Sequence, residues 1–329
     1  MSESGDPDQT GSGAVPVSIL VCTRNRPDTL ELAVQSLLES EKVEFELVIV
    51  DQSDGDESER VVEAFHDPRL RYHHSETRGL GEALARGFVV ARSEFIVRID
   101  DDCEVDRQWV ASMVDSLRAN AKAGMVCSNV VAAPFDATAG YVPTSERDTD
   151  HLTRSIFGTA RLHGLGAGVA YRRSALEDIG GFDLALGSGS QFRSCEDWDT
   201  QLRMLLRGWF VFHDSSVEVR HHGFRSFEEG REHSRNSWYG IGAMFAKLVR
   251  VGPPSVWLLA SWKFAADAVV PPFMDVLHLH RPRGIARVRA FCRGFLLAIR
   301  VPVDRKTMRF VTRSDATAHN TSGDEERQL

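Results

Sequence analysis

At 329 residues and 42% hydrophobic composition, the chain is long enough for one large or two ordinary domains built around a proper core. Its formal charge of -8 argues against bulk binding to nucleic acid, and no uninterrupted apolar run reaches the roughly 18 residues that a membrane span needs. The five cysteines are scattered and form no CxxC pair, which suits a reducing cytoplasm better than a disulfide framework or a zinc site.

Residues 1–14, opening MSESGDPDQTGSG, are acidic and polar, unlike a signal or transit peptide, and read as a disordered lead-in. Val17–Val21 is an apolar run suited to a buried strand, and it breaks at Thr23-Arg24-Asn25-Arg26-Pro27. Leu30, Val34, Leu37 and Leu38 then recur at helical spacing, with Pro27 where a first turn tolerates it. Phe45–Val50 is a second strand closed by Asp51, followed by a helix carrying Val61, Val62, Ala64 and Phe65. Arg69–His73 is a weaker strand, and Gly79–Ala91 a helix leading into the strand Phe95–Ile99, which ends in Asp100, Asp101 and Asp102. This alternation predicts an α/β fold with a mostly parallel sheet covered on both faces. Ligands of such sheets bind where the strand C-termini open into loops, so Asp51 and the three aspartates should face one crevice.

A helix with Val110, Met113, Val114 and Leu117 and a strand over Met125–Val131 follow, and residues 133–160 read as a long mobile loop. The Gly-rich HGLGAGVAY, with Gly166 inside it, suggests a close approach to backbone. Gly187 and Gly189 give freedom to a loop before a helix carrying Leu202, Leu205 and Leu206, opened by Glu196-Asp197 with Ser194 as its cap. Trp209–Phe212 and Val217–Arg220 read as two short strands ending at His221-His222-Gly223, and Ser226 with Glu229 fits a capping box.

Hard divalent cations take carboxylate oxygens, so Asp100–Asp102 suggest a metal bridging a diphosphate; a solvated acidic turn is the plainer alternative. Glu196-Asp197 supplies either a general base or only first-turn acids favoured by the helix dipole. His221-His222 offers an imidazole ligand to the same metal or merely ends a strand.

In order and spacing, VSILVCTRNRPDTLELAVQSLL, ELVIVDQSDGD, RGLGEALARGFVVARSEFIVRIDDD, GGFD and CEDWDTQLRMLLRGW resemble the nucleotide-sugar-dependent glycosyltransferases of family 2, from about Val17 to Lys247. The resemblance implies a GT-A fold with a Rossmann-like nucleotide-binding half over residues 15–247 and a metal-dependent, inverting transfer of one sugar to an acceptor hydroxyl. By position, Asp51 would contact the nucleotide base, Asp100 and Asp101 the nucleotide with Asp101 at the ribose, and Thr23 and Arg24 would lie nearby. Asp102, with His221 or His222, would hold Mn2+ or Mg2+, and Asp197 would deprotonate the acceptor. Arg78, Gly166, Glu196 and Trp198 complete the expected substrate-facing set. Where the family often has Ala-Arg-Asn, this chain has Ala83-Leu84-Ala85, leaving Arg78 or Arg86 to substitute. Uridine is the commonest nucleotide in similar proteins, with deoxythymidine and guanosine as alternatives.

From Lys247 to Arg313 basic residues are opposed only by Asp267, Asp275 and Asp304. Residues 248–313 are therefore expected to form a basic amphipathic helical extension. Ile285, Val288, Phe291, Cys292, Phe295 and Ile299 share one face, beside Arg289, Arg293 and Arg300. Such a helix lies on an anionic membrane or packs its apolar face on the core. The first outcome would place a cytoplasmic protein peripherally at the inner face of the membrane, with a lipid-linked or glycan-precursor acceptor. The chain lacks the QxxRW motif of processive synthases, which favours single transfer, and residues 314–329 read as a disordered tail. Rival readings are a sugar-1-phosphate nucleotidyltransferase, disfavoured because CTRNRPD replaces a glycine-rich phosphate loop, and an inactive peripheral carbohydrate- or membrane-binding protein.

Overall fold

Alternate residues of a buried strand face opposite sides of a sheet, and here that alternation divides the core in two. Leu20, Val48 and Ile96 join the apolar cluster on one face, while their neighbours Ile19, Ile49 and Val97 join the cluster on the other. The computed structural model describes residues 16–159, 165–280 and 284–312; the two termini expected to be disordered, and His163 and Gly164 of the Gly-rich segment, lie outside them.

The first half runs β1 (Val17–Thr23), α1 (Pro27–Leu38), β2 (Phe45–Asp51), α2 (Glu57–Ala64), β3 (Leu70–His74), α3 (Leu80–Val90) and β4 (Phe95–Asp100). It continues through β5 (Cys103–Val105), α4 (Trp109–Ala119), β6 (Ala123–Ala132), β7 (Gly140–Tyr141), β8 (His151–Thr153), β9 (Gly168–Arg172), α5 (Arg173–Asp178), α6 (Glu196–Leu206) and β10 (Phe210–His221). The main sheet has the order β3-β2-β1-β4-β9-β6-β10-β5, with β8 on the side of β10. β1, β2, β3 and β4 pair in parallel, as do β6 and β10, whereas β9 runs antiparallel between β4 and β6. The C-terminal ends of β1, β2, β4 and β10 therefore share an edge with the start of β9, and this brings Thr23, Asp100, Gly168 and His221 to one side.

Two expectations change. Residues 133–160 are not one loop: β7 and β8 fall there, too short for any alternation to show in sequence. The two strands expected around Trp209–Arg220 are one strand, β10, whose register shifts between Asp214 and Glu218 and so breaks the period of two.

After β10 come β11 (Arg225–Ser226), α7 (Phe227–Val251), α8 (Pro254–Phe264), a π-helical turn (Ala265–Val269), α9 (Val270–Leu277) and α10 (Ile285–Ala298). The capping box that opens α7 is present, with Ser226 Oγ accepting from the Glu229 N–H. α10 packs one side on α7, while Ile285, Cys292 and Ile299 of the expected apolar face stay exposed. Phe291, Gly294 and Ala298 are buried, and a Cβ added at Gly294 would lie 2.0 Å from the Tyr239 carbonyl. The chain then returns to the core, where Phe310 lies 4.9 Å from Phe192 between ring centroids. Among the described residues no helix is long and apolar enough to cross a membrane.

α6 and α7 are joined by a charge network inside the core. Lys247, Asp183, Asp199 and Arg203 are all 0% exposed. The Lys247 ammonium contacts Asp183 and lies 2.8 Å from Asp199, while Arg203 Nε donates to Asp199 at 2.8 Å and its Nη1 to the carbonyls of Ile179 and Gly181. Removing one partner of a buried ion pair strands the other charges. Lys247→Met is therefore expected to lower the unfolding free energy by about 3–5 kcal/mol in chemical denaturation; a loss below about 1 kcal/mol would show that the network adds nothing.

Candidate active site

At the shared strand edge lies a crevice of about 1040 Å³, lined on one side by Thr23, Arg26 and Asp100–Asp102 and on the other by Gly166, Glu196 and Asp197. His221 and Arg225 close one end, and the first half of α7 contributes His233 and Asn236.

The three aspartates follow β4 and diverge. Asp101 is buried, and accepts from Thr23 Oγ1 at 2.7 Å and from Arg26 Nη1 at 3.1 Å. Burial pushes its pKa up to about 6, against the opposing pull of Arg26 and Thr23. Asp102 lies 3.2 Å from the same Arg26 nitrogen and 3.4 Å from His221 Nε2. Burial works against its charge, but His221, Arg26 and Arg225 outweigh that and hold its pKa below the usual range. Asp100 faces a further cation, Arg98 Nη2, at 3.3 Å.

His221 Nδ1 donates to the Pro143 carbonyl at 2.9 Å, which fixes the tautomer and leaves Nε2 towards Asp102. Ligand atoms of Asp102, His221 and Cys103 all lie within 4.8 Å of one another. A Cβ at Gly223 would fall 2.3 Å from His221 Nε2 and 3.0 Å from Asp102 Oδ2, so only glycine keeps the space between them open. This oxygen and nitrogen pair fits a divalent cation. His222 does not face it: alternation along the strand end turns its ring outwards, where Nε2 meets Glu104.

The opposite wall is the first turn of α6. It opens not on Ser194 but on Cys195, whose left-handed φ of 76° turns the chain so that Glu196 and Asp197 both reach the crevice. Asp197 Oδ1 accepts from the Trp198 N–H at 2.6 Å and Oδ2 from the Gly166 N–H at 3.2 Å. Burial raises the pKa of Asp197, with Arg98 and these two amides opposing. Glu196 is also raised, by burial and by the charge of Asp197. Arg98, buried in the middle of β4, joins the two walls, since Nη2 lies 3.3 Å from Asp100 and 3.2 Å from Glu196. Gly166 lies on that guanidinium, where a Cβ would come within 2.6 Å of it.

Some expected residues lie elsewhere. Asp51 is fully buried at the end of β2 and absent from the crevice lining; its carboxylate accepts from Tyr72 Oη at 2.7 Å and the Ser53 N–H at 2.8 Å, so it braces the turn and leaves Gln52 to face inwards. Trp198 is buried too, because one helical step past Asp197 it turns into the core, donating to Thr159 Oγ1 at 3.0 Å. Arg24 lines the rim, while Arg78 pairs outside it with the exposed Asp54 and Arg86 is exposed away from the lining. Arg26, Arg98 and Arg225 were not singled out by sequence. An arginine within the apolar run FIVRI is the one signal that was present, since a charge in a buried strand requires partners.

Residues 18–180 match the family described as Glycosyl transferase family 2. EpsH of Bacillus subtilis, named as a glycosyltransferase, is 27% identical over 169 residues, 49% of this chain and 48% of that protein. The glucosyl-dolichyl phosphate glucuronosyltransferase of Haloferax volcanii is 25% identical over 183 residues, 52% of this chain and 57% of that protein. The chain thus spans about half the length of the curated relatives it matches. Two solved structures share its fold. S. aureus TarS 1-349 in complex with UDP-GlcNAc has a TM-score of 0.61 at 15% identity, over 85% of this chain and 82% of the other. Mannosyltransferase PcManGT from Pyrobaculum calidifontis, in complex with GDP-Man and Mn2+, has a TM-score of 0.59 at 19% identity, over 88% of each. With its GT-A fold and the family match running from β1 through β9, this chain belongs to glycosyl transferase family 2.

Proposed function

We propose that the protein transfers a single sugar, with inversion, from a nucleoside-diphosphate sugar to an acceptor hydroxyl. The observation that carries this reading is the pairing of Asp102 and His221, an oxygen and nitrogen donor set suited to a cation, with a half-buried carboxylate, Asp197, across one crevice. The acceptor oxygen attacks the anomeric carbon as Asp197 takes its proton, and the bond from that carbon to the diphosphate oxygen breaks with its electron pair leaving on phosphate. Arg26 and Arg225 at the same end add fixed positive charge near the departing group. When bound at Asp102 and His221, Mn2+ or Mg2+ supplies Lewis-acid stabilisation of that charge. Thr23, Arg24, Gln52, Asp100 and Asp101 would hold the nucleotide, for which uridine is the first choice. TarS and PcManGT, by their descriptions, bind UDP-GlcNAc and GDP-Man, so the base is an open variable of the test. A lipid-linked acceptor fits the dolichyl phosphate substrate in the name of one relative, and a peripheral position at the inner face of the membrane follows for such an acceptor. The family assignment lends no support to the nucleotidyltransferase reading.

Calorimetric titration of UDP, dTDP, GDP and CDP, with and without manganese, is expected to give metal-dependent binding of one nucleotide that Asp102→Ala abolishes. Binding of none would leave the inactive-scaffold reading in its place. Asp197→Asn is expected to keep that nucleotide affinity and lose about 10²–10⁴-fold in transfer, and near-normal turnover would remove Asp197 as the base. Because Asp197 must be ionised to act and its pKa is raised, kcat/KM should fall as pH drops through a value above the ordinary carboxylate pKa of about 4. Arg98 is the strongest influence holding Asp197 ionised, so Arg98→Gln should move that limb to higher pH; a limb that stays in place, or moves to lower pH, would refute this electrostatic assignment.

A further inference from the structure

Among the described residues the apolar face of α8, the π turn and α9, beside the arginines of α10, is unpartnered, and we propose that it docks the protein on an anionic lipid bilayer. Trp257, Leu258, Trp262, Val269, Phe273 and Leu277 recur along these helices and are 40–65% exposed. Indole and phenyl rings so displayed are unusual on a surface that meets only water, and they suit the interface between headgroups and acyl chains. The acids of this segment do not interrupt the face: Asp267 pairs with Lys263 at 2.7 Å, and Asp275 is half-buried.

Charge complementarity selects the occupant. α10, which buries Phe291, Gly294 and Ala298, lies alongside: the Phe264 and Phe291 rings are 4.5 Å apart, and a Cβ added at Gly284 would lie 3.9 Å from both the Arg287 stem and Pro272. It carries Arg287, Arg289 and Arg293 as exposed residues, with Arg300 just past its end, and no ion pair engages them among the described residues. Bulky apolar groups beside a helix of exposed arginines match acyl chains beneath negatively charged headgroups, with each arginine near the surface contributing attraction.

The segment packs behind one wall of the crevice. On its inner side the Lys263 ammonium lies 5.3 Å from the Trp198 ring centroid, and Trp198 directly follows Asp197. The docking deepens the peripheral placement proposed above, but does not itself depend on the reaction.

The test is sedimentation of the full chain with vesicles of phosphatidylcholine, alone or mixed with phosphatidylglycerol. Binding is expected only to the anionic vesicles and should weaken with salt. The double variant Arg287→Gln/Arg293→Gln should bind about thirtyfold more weakly, from roughly 1 kcal/mol per arginine. Trp262→Ser/Phe273→Ser should lose binding while keeping the parent circular dichroism and melting temperature. No pelleting with anionic vesicles would overturn the proposal, as would pelleting that the apolar substitutions leave unchanged. Self-association in solution that those substitutions abolish, without vesicle binding, would assign the face to a second copy of the chain instead. Because no nucleotide enters this assay, its failure leaves the transferase reading untouched, and failure of nucleotide titration leaves this result standing.

Discussion

The guanidinium of Arg98, buried in the middle of a strand, is the charge on which the crevice depends. Taking it out of water costs several kcal/mol unless it is paired, and its partners, Asp100 and Glu196, come from opposite walls. Pairing it therefore fixes the distance between β4 and α6. It also explains how three consecutive aspartates coexist. Asp100 answers to Arg98, Asp101 to Thr23 and Arg26, and Asp102 to His221 and Arg26, so each carboxylate leaves the chain in its own direction towards its own counter-charge.

α6 is held from behind by a second set of charges. Glu196 and Asp197 face the crevice, whereas Asp199 and Arg203 point into the core to meet Lys247 of α7 and Asp183 of the turn before α6. A short helix tied at both faces presents its first-turn acids without the rotational play that a single apolar face would leave. α7 takes part at three levels, since its first half lines the crevice, its last turns supply Lys247, and α8 starts just beyond it.

β1, β2 and β4 were legible because buried parallel strands are written as largely apolar runs that stop at polar turns, whereas the half-exposed β3 showed only weakly. The carboxylate cluster after β4 and the capping box at Ser226 could be read for the same reason, that each is local. What escaped was non-local. Nothing in GVAYR announces that β9 inserts antiparallel between β4 and β6, and the bulge in β10 disguised one strand as two. Asp51 looked like a crevice acid because its distant partner Tyr72 cannot be read from the turn it closes. Likewise His221 and His222 alternate about the strand, but only the assembled sheet decides which of them faces Asp102. For the C-terminal region the composition was informative and the geometry was not. The amphipathic α10 is covered in part by α7, while the helices before it, without a clear polar face in sequence, are left barer.

Gly166 touches both halves of this arrangement, giving its amide to Asp197 and its bare Cα face to the Arg98 guanidinium. The backbone around it is therefore a shared ligand of an acid and of the cation that keeps that acid ionised. Any displacement of this segment changes the proton affinity of Asp197, by withdrawing an amide and by altering how closely the guanidinium is covered. Thermodynamic linkage makes the relation reciprocal: whatever occupies the crevice and shifts this backbone takes up or releases protons as it binds, and its affinity carries a pH dependence even where the ligand itself does not titrate.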